Sequence, residues 1–232
     1  MSYRPRLTKK ILFRTLIGCS VAVGTVGCST DVLTYSQDYK RQGMKEFNDG
    51  QYDQATGSFA AAVKQDPTDP AAQFYLGESY EATNNLNQAI VAYRLCLNLL
   101  PQTPAGRANV QMHDDCVTHL VSVVAKSDQA EQNIDVLEAE AAKNQDPQEY
   151  VIVARIFAQR GDPDSAINAY RQALALSPDD FGINKSFGLY LSQMNQQELA
   201  RPVLLHAYQL NGNDKQVSDA LAQAGGVPAP GQ

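Results

Sequence analysis

Residues 70–103, PAAQFYLGESYEATNNLNQAIVAYRLCLNLLPQT, decide the fold. Gly77 and Ala89 stand twelve positions apart, Asn84 lies between them, Tyr93 follows, and Pro101 closes the stretch. The physics is that of two antiparallel helices. Asn84 tolerates the left-handed backbone that ends a helix. The small pair lets the two helices approach closely, and Tyr93 fills the space beside that contact. Pro101 stops the second helix.

The same grammar recurs three more times. Gly43 with Ala55, Ala154 with Ala166 and Gly188 with Ala200 are the other small pairs, with Gly50, Gly161 and Asn195 at the turns. Phe59, Tyr170 and Leu204 take the place of Tyr93, and Ala62, Ala173 and Ala207 that of Cys96. Pro67 and Pro178 end the second helices, with Gly212 in the last copy. Asp69-Pro70, Asp146-Pro147 and Asp162-Pro163 read as an N-cap followed by Pro at the first helical position.

This pattern resembles the tetratricopeptide (TPR) repeat, a 34-residue helix–turn–helix unit; Ala55 to Ala89 and Ala166 to Ala200 are both 34 apart. Repeats are expected at 36–69, 70–103, 147–180 and 181–214, followed by a cap helix at 215–224 and a frayed tail at 225–232. The second copy fits best, with Leu76-Gly77, Tyr80, Ala89, Tyr93 and Pro101 in place. Departures are Gln42 and Glu46, where the motif prefers apolar residues, and the absence of Trp throughout. The expected fold is therefore all-α, a TPR-like solenoid of helix hairpins wound into a right-handed superhelix. Pro104–Asp146, a unit of 43 residues, interrupts the register. Its apolar residues Val110, Val117, Leu120, Val121, Val124, Ile134, Val136, Leu137 and Ala141 keep helical spacing. It is expected to be a degenerate hairpin with an extended connection that keeps the array continuous; the alternative is a break into two separately packed pairs.

The first 27 residues differ in kind. Arg4, Arg6, Lys9, Lys10 and Arg14 have no acidic neighbour, and Thr15–Val26 is uncharged. That is the pattern of a secretory signal, and the uncharged run is too short to span a bilayer. Gly27-Cys28-Ser29 resembles the lipobox of bacterial lipoproteins, which implies acylation of Cys28 and a short tether over residues 28–35. Thr25 departs from the Leu that the family prefers three residues before the Cys. Cys19, preceded by Leu16-Ile17-Gly18, is the rival site, but Arg14 leaves it little apolar run. An uncleaved inner-membrane anchor is the alternative; either way the body lies outside the cytoplasm. Ser29 after the Cys, by analogy with the family, favours the outer membrane of the cell envelope, facing the periplasm.

The net charge is −6, and beyond residue 27 there are 14 basic against 25 acidic residues, or −11. Such a surface argues against nucleic-acid binding. His113-Asp114-Asp115-Cys116 with His119 is the one chemical-looking cluster. On a helix, however, the two histidines lie about 120° apart and cannot both face one ion. A metal-dependent or catalytic envelope protein built on 113–119 is the alternative function. Otherwise the sequence offers no phosphate loop, serine elbow or dinucleotide fingerprint, and no enzyme activity, cofactor, metal or small-molecule substrate is expected. Cys96 and Cys116 are read as two separate small buried thiols, with a 96–116 bridge as the alternative.

The resemblance implies a concave groove that holds a protein or peptide partner. Its lining falls on Lys40, Met44, Phe47, Phe74, Glu78, Glu81, Arg155, Gln159, Lys185 and Gln193, with Phe47 and Phe74 as exposed aromatic anchors. The clamp by which some relatives capture chaperone C-termini needs Lys and Asn at set places. Here Lys40 is followed by Met44, and Glu78 replaces an Asn, so chaperone tails are not the expected ligand. The expected function is a membrane-tethered, non-catalytic adaptor in assembly of an envelope machine such as a pilus, secretion or outer-membrane complex.

Overall fold

A computed structural model describes residues 27–101 and 106–225. Among these residues the chain is entirely helical: α1 (Gly27–Asn48), α2 (Tyr52–Gln65), α3 (Pro70–Ala82), α4 (Leu86–Leu99), α5 (Arg107–Lys126), α6 (Ala130–Asn144), α7 (Pro147–Arg160), α8 (Pro163–Leu176), α9 (Phe181–Gln193), α10 (Gln197–Leu210) and α11 (Lys215–Gln223). All of the expected signal segment 1–27 except Gly27 lies outside the described residues, and none of the described helices is long and apolar enough to cross a membrane. The chain divides into two compact units, one up to Asn109 and the other from Val110.

The turn chemistry follows the repeat. Gly50, Asn84, Gly161 and Asn195 all take positive φ, at 76°, 59°, 78° and 56°. Asp69, Asp146 and Asp162 cap α3, α7 and α8, each accepting from amides in the first turn with Pro at the first helical position. Asp180 and Asp214 do the same for α9 and α11 without a proline.

In the first unit α1 packs on α2, α3 on α4, and α2 on α3. Ala55, Phe59 and Leu76 are buried at its centre, with Phe47, Tyr75 and Tyr80 packed around them. The small residues work by shape. A Cβ on Gly77 would lie 2.6 Å from the Tyr93 ring, and one on Gly43 2.8 Å from the Phe59 ring. The aromatic thus occupies the space that glycine vacates, rather than sitting beside it. In the second unit α7 pairs with α8 and α9 with α10, and α11 packs on α9 and α10. There a Cβ on Gly188 would lie 2.7 Å from Leu204, while the equivalent position in the preceding hairpin accepts the methyl of the buried Ala154.

Two expectations gain detail and one needs correction. Residues 28–35, expected as a short tether, form the first turns of α1. Between Cys28 and Gly43 no Pro or Gly interrupts the helix. The 43-residue unit owes its length to long helices of 20 and 15 residues, joined by a turn at 127–129 rather than by an extended connection. Within it Val110 and Val136 are exposed, at 45% and 47%, while Val117, Leu120, Val121, Val124, Ile134, Leu137 and Ala141 are buried. Finally, Cys96 and Cys116 are both fully buried and both disulfide-bonded, not free thiols.

Candidate functional site

The second unit carries a groove of about 490 Å3 walled by α5, α7 and α9, with Tyr170 of α8 beneath. On α7 the residues that face it are Gln148, Val151, Ile152, Arg155, Ala158 and Gln159. This is the i, i+3, i+4, i+7 rhythm that one face of a helix produces. α5 contributes His113, Asp114, Val117, Thr118 and Val121, and α9 contributes Gly182, Ser186, Leu189, Tyr190 and Gln193.

Its floor is aromatic and rigid. Tyr170 is buried and stacks on Phe187 with ring centroids 5.0 Å apart, and Tyr190 leans on it at 5.7 Å. Burial pushes the Tyr170 phenol up to about 12, against the opposing pull of the Arg155 guanidinium. Burial also raises Tyr190, assisted by the carboxylates of Asp162 and Asp164. Both phenols therefore remain neutral hydrogen-bonding groups at physiological pH. Arg155 donates from Nη2 to the Thr118 hydroxyl at 3.3 Å, which ties α7 to α5 across the groove.

Of the ten residues expected to line a groove, Arg155, Gln159 and Gln193 do so here. Lys185 does not: its Nζ donates to Asp214 at 2.7 Å and lies 5.9 Å from the Phe181 ring centroid. That bond fastens α9 to the cap of α11 and holds the Asp214 carboxyl below the usual range.

The six expected residues of the first unit are mostly spent on the fold. Lys40 pairs with the N-cap Asp69, the same device at the same repeat position. Phe74 is buried, not an exposed anchor, because Tyr75 and Tyr93 enclose it at 5.5 and 5.9 Å. Phe47 is half-buried against Tyr52. Glu81 accepts the Tyr93 hydroxyl at 3.1 Å, and burial, with the Glu81 and Glu78 charges, drives that phenol far above its ordinary value. Met44 alone of the six is exposed, at 42%, and Glu78 is half-buried.

The 113–119 cluster does not assemble. His113 lines the groove with Nδ1 3.8 Å from Asp114 Oδ1, Asp115 accepts from Gln111 at 2.8 Å, and a disulfide-bonded Cys116 offers no thiolate. Among the described residues no three His, Cys, Asp or Glu side chains are placed to hold a metal ion.

The repeat register missed Ser186, one position beyond Lys185, and Tyr190, three positions before Gln193. It missed the α5 wall because the irregular unit has no register to read. The periodicity of Val117, Leu120, Val121 and Val124 was the available signal for that wall's orientation.

No curated protein sequence matches the chain. Solved structures to which the chain is similar include MamA, residues 41 to the end, from Desulfovibrio magneticus RS-1. The two are 16% identical, with a TM-score of 0.42, covering 78% of this chain and 97% of that one. TTC0263, a thermophilic TPR protein of Thermus thermophilus, is 22% identical with a TM-score of 0.43, covering 82% and 98%. YrrB, described as a TPR protein with an unusual peptide-binding site, is 15% identical with a TM-score of 0.40, covering 78% and 89%. Residues 47–108 and residues 150–182 each match a family model for the tetratricopeptide repeat, so a stretch of each compact unit is similar to that repeat.

Proposed function

We propose that this chain is a non-catalytic adaptor of the bacterial cell envelope, anchored through acylated Cys28, that holds an extended segment of a partner protein in the groove of its second unit. One observation carries the binding part: a face of α7, flanked by α5 and α9, opens into the groove and presents Gln148, Arg155 and Gln159 among the apolar Val151, Ile152 and Ala158. An extended chain has unpaired backbone amides and carbonyls, and Gln148, Gln159, Ser186 and Gln193 offer both donors and acceptors to them. The envelope part rests on the basic and apolar N-terminal segment ending at Cys28. The disulfide-bonded state of Cys96 and Cys116 suits a compartment that oxidises thiols. An assembly role in a pilus, secretion or outer-membrane complex suits that location and a groove that holds a partner's chain.

Site-specific photocrosslinking tests the groove. A crosslinker at Gln159 or Gln193 should capture one protein of defined mass from membranes, and the same group at the exposed Arg171 on α8 should not. Equal capture from all three positions would sink the groove. A labelled fatty acid should incorporate into the wild type and not into Cys28→Ser; loss with Cys19→Ser instead would move the anchor nine residues upstream.

A further inference from the structure

Arg155 is the one Lys or Arg in the described lining of the groove. Its guanidinium has a hydroxyl partner, Thr118, at 3.3 Å, and no carboxylate partner among the described residues. Three other cations of the same unit do have acidic partners, Arg160 with Glu131, Lys185 with Asp214 and Arg201 with Glu198, but none of these three lines the groove. In a body of net charge −11, a half-buried groove arginine left without an acid keeps its bidentate fork available to a carboxylate from outside. Asp114, the one acidic residue in the lining, sits beside its own neighbour His113.

We propose that the partner segment held in this groove is acidic, and that an Asp or Glu side chain within it pairs with Arg155. The proposal rests on the groove reading above and adds the chemical class of the partner. An internal side chain fits better than a chain terminus. Lining residues continue on both sides of Arg155 along α7, from Gln148 to Gln159. That is about 16 Å of helix, or about five residues of extended chain, so the occupant runs past the arginine rather than ending at it. Tyr190, half-buried beside Tyr170, offers a flat amphipathic surface to the residue next to the acid.

The test starts from a displayed library of random linear peptides selected on the full-length protein. Enriched peptides should share an Asp or Glu at one register position. For a peptide so obtained, replacing that acid with its amide, or making Arg155→Gln, should each weaken binding about tenfold or more. Making both changes should cost little beyond either alone, the mark of a direct pair. Thr118→Val removes the partner hydroxyl but not the charge, and should leave affinity within about twofold. Circular dichroism confirms that each variant folds. A peptide lost on filling the groove with Ser186→Trp, yet indifferent to Arg155→Gln, would overturn the acidic partner and keep the groove. Peptides indifferent to both variants, or a library that yields none, would overturn both.

Discussion

The first unit and the second are built from the same hairpin and share the Lys40 and Lys185 bonds, yet they use their other groove positions for different ends. In the first, Phe74 and Glu81 are engaged by two tyrosine rings and by the Tyr93 hydroxyl. In the second, Arg155, Gln159 and Gln193 stay open to the groove. A position within a repeat therefore sets where a side chain starts, while the neighbouring side chains decide whether anything is left to offer a partner. Phe74 is the sharpest instance. Its place in the repeat is a groove place, but an aromatic ring beside Tyr75 and Tyr93 gains more by being buried than by waiting in water.

The comparison can be broken most severely at the cysteines, of which each unit holds one in disulfide form. Alkylation without reductant should modify neither Cys96 nor Cys116, and reduction should lower stability to urea by about 2–4 kcal/mol. Two alkylated cysteines in the native protein would overturn this. Next come the helix crossings. Gly77→Leu should destabilise by about 1–3 kcal/mol or more, because even its Cβ collides with the Tyr93 ring. Glu78→Leu, one residue on, should change the thermal midpoint far less. Equal losses from the two would mean that the crossing does not depend on glycine.

Sharper still is a swap at the two cations. Lys40→Met breaks the partly buried pair with Asp69 and should cost about 1 kcal/mol. Arg155→Met should stay within about 0.5 kcal/mol, because the one bond it loses is a long, exposed hydrogen bond to the Thr118 hydroxyl. A reversed order would refute the assignment of roles. The smallest effect is pH-dependent. The Lys185 hydrogen bond holds the Asp214 carboxyl below its ordinary value, helped by amides at the start of α11. Its stabilisation is therefore present above the unfolded value of about 3.9 and is lost as pH falls through the lower folded value. Denaturation midpoints measured between pH 5 and 2 should show this loss in the wild type and a flatter course in Asp214→Asn.

Much of this was legible before any coordinates. The turns at Gly50, Asn84, Gly161 and Asn195, the caps at Asp69, Asp146 and Asp162, and the small residues at the crossings depend on backbone conformation and volume within one hairpin. Such constraints act over a few residues, so they leave a periodic trace in the sequence. The left-handed end of α6 at Gln145, φ 53°, left none, because neither Gly nor Asn marks it. What only the tertiary structure decided is which polar and aromatic residues find partners. The Lys40 and Lys185 bonds each span 29 residues, and the α5 wall of the groove comes from the unit without a register. Such pairings depend on which side chain of the next helix lies across the gap, and a spacing along one helix does not contain that information.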